Sequence, residues 1–256
     1  MPLQILSIHA HPDDAEILAG GTLALLARRG HAVTIVSLSD GDCGSAEYGP
    51  EELGRMRRGE SQSAASLLGA SYAWGGFHDL GIFIDDAGRR RVTSLLRRFH
   101  PDIVLTASPL DYHCDHEAAS RLVQDACFAV SCPNYDTSAY DPAPATDRVP
   151  HLYFMDPAEG IDRDQQVVRP QFLVDVAALM PLKREALARH VSQREWLRRQ
   201  HRMDDYLDVM EQWNRARGTL GGLALAEGFR QYSGHSFPRT PALQDELREL
   251  VHELAR

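Results

Sequence analysis

The chain has 256 residues, enough for one large α/β domain or two small ones. Its 36 acidic and 27 basic side chains give a formal charge of −9, the wrong sign for a surface that embraces nucleic acid or an anionic membrane. At 43% hydrophobic and 25% charged residues the composition is globular, and no apolar run approaches the roughly 20 residues of a membrane span.

The opening Met1-Pro2-Leu3-Gln4 lacks a basic n-region, and His9, His11, Asp13 and Asp14 interrupt the apolar run behind it. No secretory leader is expected, and the expected compartment is the cytoplasm. Leu3 to Ala10 reads as a strand, Asp14 to Arg29 as a helix stopped by Gly30, and Val33 to Leu38 as a second strand. Gly41 to Pro50 is turn-forming and reads as a loop. A helix follows over Glu51 to Leu68, then a short strand, Tyr72 to Trp74, a turn at Gly75-Gly76, and a helix over Ala87 to Phe99. Ile103 to Ala107 is a continuous apolar run suited to a central strand covered on both faces. A polar loop from Ser108 to Cys114 leads into a helix over Asp115 to Val130 that begins with two histidines. The Pro/Asp/Ser/Thr-rich stretch Ser131 to Pro150 reads as a long loop, of a length typical of a functional lid. Leu152 to Met155 and Phe172 to Val176 are further strands, Pro181 to Arg217 a long charged helix broken at Gly218 to Gly222, and Ala242 to Ala255 a closing amphipathic helix. The expected fold is α/β, an open, mostly parallel, Rossmann-like sheet with helices on both faces, in a single domain. Residues 1–130 form its core and 131–256 its lid loop and C-terminal α/β elaboration. Cys43, Cys114, Cys127 and Cys132 show no CxxC pair and read as reduced thiols.

Two constellations carry chemistry. His11-Pro12-Asp13-Asp14 follows the first strand, and in an open α/β sheet the carboxyl ends of strands are where ligands bind. His11 and Asp14, three apart, can converge on one point while Asp13 points elsewhere, and a His/Asp pair suits Zn²⁺. The plain alternative, a helix cap, accounts for one carboxylate and not for the histidine. Asp111-Tyr112-His113-Cys114-Asp115-His116 follows the clearest strand. The HxxH spacing is weak by itself, since 12 histidines in 256 positions produce roughly half such a pair by chance. Placement gives it weight. If the two strands are neighbours, both clusters face one crevice, with three protein ligands and an open position as in catalytic zinc.

His11-Pro12-Asp13-Asp14-Ala15-Glu16-Ile17, Gly20-Gly21-Thr22, His113-Cys114-Asp115-His116 and Ala226-Glu227-Gly228-Phe229-Arg230 together resemble the PIG-L/LmbE family of zinc-dependent N-acetylglucosaminyl deacetylases. The nearest likeness is the branch that deacetylates N-acetylglucosaminyl malate for bacillithiol. Ser39-Asp40-Gly41, Arg57 with Glu60, and Leu68-Gly69 also fall where the family places similar residues. The resemblance implies that His11, Asp14 and His116 bind Zn²⁺, or another divalent ion such as Fe²⁺. It implies further that Asp13 is the general base, that His113 polarises or protonates at the reacting carbonyl, and that the chain assembles into trimers or hexamers. Cys114 departs from the family's usual proline, which keeps the ligand spacing but adds a thiol beside a ligand.

On this reading His113 acts as an imidazolium with Asp111 or Asp115 as its supporting carboxylate. Arg57, three residues before Glu60 on a helix, reads either as a solvated salt-bridging face or as a contact to an anionic part of the substrate. His235 either lines the sugar pocket or caps a loop, and His9 reads as a core histidine. Lys183 to Arg202 reads as a solvated or subunit-facing helix. The expected function is hydrolysis of the acetamide of a small molecule containing N-acetylglucosamine, with neither nucleic acid nor membrane as partner. Two alternatives stay open: an amidase acting on a sugar-linked thiol conjugate, and a non-catalytic metal-dependent sugar-binding protein. The second leaves Asp13 without a purpose, since binding needs the ligands and not the base.

Overall fold

The computed structural model describes residues 1–202 and 205–255. Among these, one sheet is built from β1 (Gln4–His9), β2 (Ala32–Ser39), β3 (Ser71–Phe77), β4 (Ile103–Thr106), β5 (His151–Met155), β6 (Phe172–Asp175), β7 (Ala226–Tyr232) and β8 (Val251–Glu253). The helices are α1 (Asp14–Arg28), α2 (Pro50–Leu67), α3 (Asp86–Phe99), α4 (Cys114–Ala129), α5 (Met180–Leu187), α6 (Val191–His201), α7 (Tyr206–Leu220) and α8 (Ala242–Leu247). The strand order is β3-β2-β1-β4-β5-β7-β6-β8. The first five strands are parallel, and β7, β6 and β8 continue the sheet antiparallel.

Successive residues of a strand point to opposite faces, so this sheet makes two cores. Ile5, Ile35, Ile103, Leu105 and Tyr153 pack on one side with Leu23 of α1, Ala64 of α2 and Leu187 of α5. Leu6, Ile8, Val36, Val104 and Leu152 pack on the other with Val92 and Leu96 of α3 and Leu122 and Val123 of α4. Covering both faces is what the unbroken apolar run at β4 requires. From β1 the chain moves outward to β2 and β3, then returns to the other side of β1 for β4. The direction of winding reverses between β1 and β4, and a crevice opens at their carboxyl ends. No helix among the described residues is long and apolar enough to cross a membrane.

Several elements differ from the sequence expectation, each because a distant contact outweighs local pattern. β3 runs through Gly75-Gly76 as a bulge, its register on β2 slipping between Ser37 and Ser39. A Cβ on Gly75 would lie 2.9 Å from the Leu38 backbone, and Gly76 sits at φ 82°, so glycines permit the close approach that a turn reading missed. The long charged helix is three helices. Its first break falls where Glu60 of α2 caps the start of α6, accepting from the Ser192 amide at 2.9 Å and hydroxyl at 2.6 Å. Positions 203 and 204 of that expected helix lie outside the described residues. The closing helix stops at Leu247, and β8 pairs with β6 in place of its second half. The start of the loop after α4 is bound down: Arg97 of α3 donates to the carbonyls of Val130 (3.2 Å) and Cys132 (2.7 Å) and to Thr137 Oγ1 (3.2 Å). These bonds hold it to the α3/α4 side of the sheet.

Candidate metal centre

Beyond β1 the chain passes through His11 and Pro12 into Asp13, whose φ of 93° lies in the left-handed region. Such a conformation costs on the order of 1–3 kcal/mol in a non-glycine residue and persists only where its surroundings impose it. The backbone carbonyl of Asp13 starts α1 by accepting from the Ile17 amide at 3.0 Å, but its side chain makes no capping bond. The helix-cap alternative therefore fails for Asp13. The twist aims the two adjacent carboxylates apart. Asp14 Oδ2 accepts from the His11 amide at 2.9 Å, whereas Asp13 Oδ2 accepts from the Tyr206 hydroxyl of α7 and lies 4.0 Å from Arg57 Nη2.

Beyond β4, the buried Asp111 accepts through Oδ1 from the His113 amide (3.1 Å) and from His116 Nδ1 (3.0 Å). This fixes the proton of His116 on Nδ1 and turns Nε2 inward. His11 is held by its other nitrogen, with Nε2 at 3.1 Å from Asp79 Oδ1 and 3.2 Å from Asp115 Oδ2. Three donors then converge. His11 Nδ1 and His116 Nε2 are 3.2 Å apart, His11 Nδ1 and Asp14 Oδ2 3.7 Å, and His116 Nε2 and Asp14 Oδ1 3.4 Å. Donors bonded tetrahedrally to zinc at about 2.0–2.2 Å lie about 3.4 Å from one another, so the spacing fits.

The charge balance fits as well. Burial opposes protonation of His116, yet Asp14 and Asp111 outweigh it and raise its pKa to about 10. Burial likewise works against a charged His11, but hydrogen bonds to Asp115, Asp14 and Asp79 hold it well above its ordinary value. Burial pushes Asp14 upward, and the two imidazoles more than reverse that, leaving it well below the usual carboxylate range. A buried cluster that draws protons so strongly draws metal cations for the same reason.

His113 lies within reach as a third imidazole. Its Nδ1, however, accepts from the Asp115 amide at 3.2 Å, so the ring proton sits on Nε2 and that nitrogen is a donor rather than a ligand. The same bond corrects the imidazolium reading, since an imidazolium has no lone pair to accept with. The carboxylates expected behind His113 serve the other rings instead, Asp111 at His116 and Asp115 at His11.

Arg57 is buried and braces two loops, donating to the carbonyls of Gly41 (3.0 Å) and Pro12 (3.1 Å) rather than forming a solvated face. A Cβ on Gly41, at φ 64°, would lie 2.2 Å from Arg57 Nη1, so the guanidinium approaches only because that residue is glycine. His235 is not brought to the centre; it borders a separate hollow with Arg89, Asp125 and Phe237. Cys114 is exposed on the first turn of α4 beside Asp115, and all four cysteines are free. Lys183 is no solvated residue. It is fully buried 2.6 Å from Glu227, whose carboxylate also takes the Gly21 and Thr22 amides at 2.8 Å each. Glu227 thereby ties β7 to α1. His9 is buried beside Ser7 in the sheet.

Sequence reading missed Asp79 and Tyr206. Asp79 carried a usable signal, because it follows the carboxyl end of β3, a third parallel strand facing the crevice. Tyr206 carried none, standing 193 residues from the aspartate it touches. The cleft above the cluster has a volume of about 520 Å³. His11, Asp13, Asp14, His113 and His116 line one side, and α6 and α7 supply the other through Trp196, Leu197, Val209, Met210 and Trp213.

Fold and site together describe a hydrolytic centre at the switch point of an α/β sheet. Residues 6–127 match the PIG-L family, described as GlcNAc-PI de-N-acetylase, and the chain contains a PIG-L family domain. A diacetylchitobiose deacetylase from Thermococcus kodakarensis is 29% identical over 248 residues, covering 90% of this chain and 84% of the relative. A 4-oxalmesaconate hydratase from Pseudomonas putida is also 29% identical, over 190 residues, 71% of this chain and 70% of that one. The solved N,N'-diacetylchitobiose deacetylase from Pyrococcus horikoshii, complexed with its inhibitor MPG, superposes with a TM-score of 0.77 at 27% identity. That match covers 93% of this chain and 88% of the other.

Proposed function

We propose that the chain is a zinc-dependent N-deacetylase that hydrolyses the acetamide of a small molecule containing N-acetylglucosamine. The observation that carries this is the convergence of His11 Nδ1, Asp14 and His116 Nε2 beside a buried carboxylate, Asp13, that is aimed away from them. A base held beside the ligands but outside their set is what hydrolysis needs and what mere binding does not. When bound by His11, Asp14 and His116, a divalent ion supplies Lewis acidity at the amide carbonyl. Asp13 takes the proton of the attacking water, its orientation held by the Tyr206 hydroxyl. The Nε2–H of His113 donates to the carbonyl oxygen as charge develops there. Protonation of the departing amine by Asp13 breaks the C–N bond, releases acetate and restores the carboxylate. Arg57 keeps the loops under Asp13 in place, and Asp111, Asp79 and Asp115 keep the two imidazoles turned inward.

The hydratase relative defines the rival activity. Hydration of a carboxylate-bearing substrate calls for cationic partners beyond the metal end, and the one lysine or arginine among the described residues lining this cleft, Arg57, turns its Nη1 and Nη2 to backbone carbonyls. Four free thiols suit a reducing compartment, and we place the activity in the cytoplasm. Assembly into trimers or hexamers follows from the resemblance and is read by light scattering. The deciding experiment measures acetate release from a panel of N-acetylglucosaminides, with chelator and after Zn²⁺ is restored, beside loss of the conjugated double bond of 4-oxalmesaconate. Acetate that disappears with chelator and returns with Zn²⁺ is the expected result. Hydration without acetate from any glucosaminide would overturn the proposal.

A further inference from the structure

We infer that the part of the substrate beyond the sugar is an uncharged, apolar group, aryl or alkyl, lying against the face that α6 and α7 turn toward the cleft. This rests on the deacetylase reading and names its substrate class. Trp196 and Leu197 of α6 and Val209, Met210 and Trp213 of α7 form that face, with Ile17 of α1 at its foot. All except Met210 are only half-buried, so they hold apolar surface that a ligand covers.

Charge excludes the opposite chemistry. Asp13, Asp14 and Asp79 border the same space, and Arg57 is the only lysine or arginine among its described lining residues, the imidazoles of His11 and His116 lying at the metal end. Its Nη1 and Nη2 already serve Gly41 and Pro12, beside Asp13. Away from those imidazoles, a carboxylate or phosphate on the α6/α7 face meets no lysine or arginine to pair with. A polyhydroxylated group fares little better, because Gln193, the two indoles and the Tyr206 hydroxyl, which already donates to Asp13, are the polar groups of the α6/α7 face, and hydroxyls buried against the rest of it go unpaired. The face is also placed with respect to the chemistry. Glu60 anchors the start of α6, and Tyr206 at the start of α7 touches Asp13, so a group packed on these helices lies beside the base.

The test compares the methyl, phenyl and carboxylate-bearing malyl β-glycosides of N-acetylglucosamine. Acetate release gives kcat/KM in zinc-loaded protein, and calorimetry gives Kd in protein stripped of metal. The phenyl glycoside should exceed the methyl by about tenfold or more in both measures, with the malyl glycoside below both. Trp213→Ala should bring the phenyl-to-methyl ratio toward one, with Trp196→Ala as the second variant should the first fail to fold. A ratio near one in the parent protein, or a malyl glycoside handled as well as the phenyl, would overturn the inference. Tighter phenyl binding with no acetate from any glycoside would uphold the apolar face and overturn the deacetylase reading.

Discussion

Replacing Asp111 by asparagine tests whether the geometry around the imidazoles governs metal affinity. Asp111 Oδ1 is the single carboxylate oxygen behind His116, 3.0 Å from Nδ1, and it also receives the His113 amide at 3.1 Å. Its Oδ2 is buried without a hydrogen-bond partner, so an amide NH₂ placed there is shut away from water. A hydrogen bond to a charged group contributes about 1.5–3 kcal/mol, and loss of a carboxylate behind a metal-binding histidine weakens affinity about 10–100-fold, or about 1.4–2.7 kcal/mol. The two agree, and the upper half of that range is expected because the new donor is buried. Asp79→Asn is the internal comparison. His11 Nε2 has two carboxylates, Asp79 at 3.1 Å and Asp115 at 3.2 Å, so removing one charge leaves the other and should cost less than about tenfold. The assay is a Zn²⁺ titration in metal-buffered solution read by tryptophan fluorescence, since Trp196 and Trp213 border the cleft, with circular dichroism confirming the fold. An Asp111→Asn affinity equal to that of the parent, or a larger loss in Asp79→Asn, would refute the reasoning.

Asp13→Ala should retain bound zinc and lose about 10²–10⁴-fold in kcat, whereas His116→Ala should lose both metal and turnover, as read by metal analysis and acetate release on one preparation. Normal turnover of a folded Asp13→Ala protein would remove Asp13 as the base. Lys183→Met breaks a pair in which both side chains are fully buried, which costs about 3–5 kcal/mol, toward the lower end because two backbone amides still serve Glu227. Calorimetry should show Tm lowered by roughly 6–20 °C, and an unchanged Tm contradicts the account. Arg97→Ala frees the loop after α4 from three bonds and should lower Tm while kcat/KM stays within about twofold. A large loss of activity with intact stability would instead mark that loop as a lid.

Local pattern was enough for β1, α1, β4 and α4, where alternation, an apolar stripe or an unbroken apolar run extends over the whole element. The same elements carry His11, Asp14 and His116, because ligand residues a few positions past a strand end need only the right strands to be neighbours. β7 shows where pattern ends. Ala-Glu-Gly-Phe-Arg-Gln-Tyr has no strand signature, and it becomes a strand because β5 and β6 flank it and Lys183 neutralises Glu227. The loop after α4 reads as a lid by length, yet Arg97 binds its first residues down, while α6, which reads as a solvated or subunit-facing helix, walls the cleft together with α7.

The residues by themselves determined a parallel α/β sheet and two His/Asp clusters at its strand ends, since both depend on spacings of a few residues. Tertiary structure decided which nitrogen of each histidine faces inward, that His113 donates, that Tyr206 holds Asp13, and that the far wall is aromatic. Tyr206 meets Asp13 across 193 residues and Glu227 meets Gly21 across 206, and contacts over such distances arise only when the whole sheet and its covering helices pack.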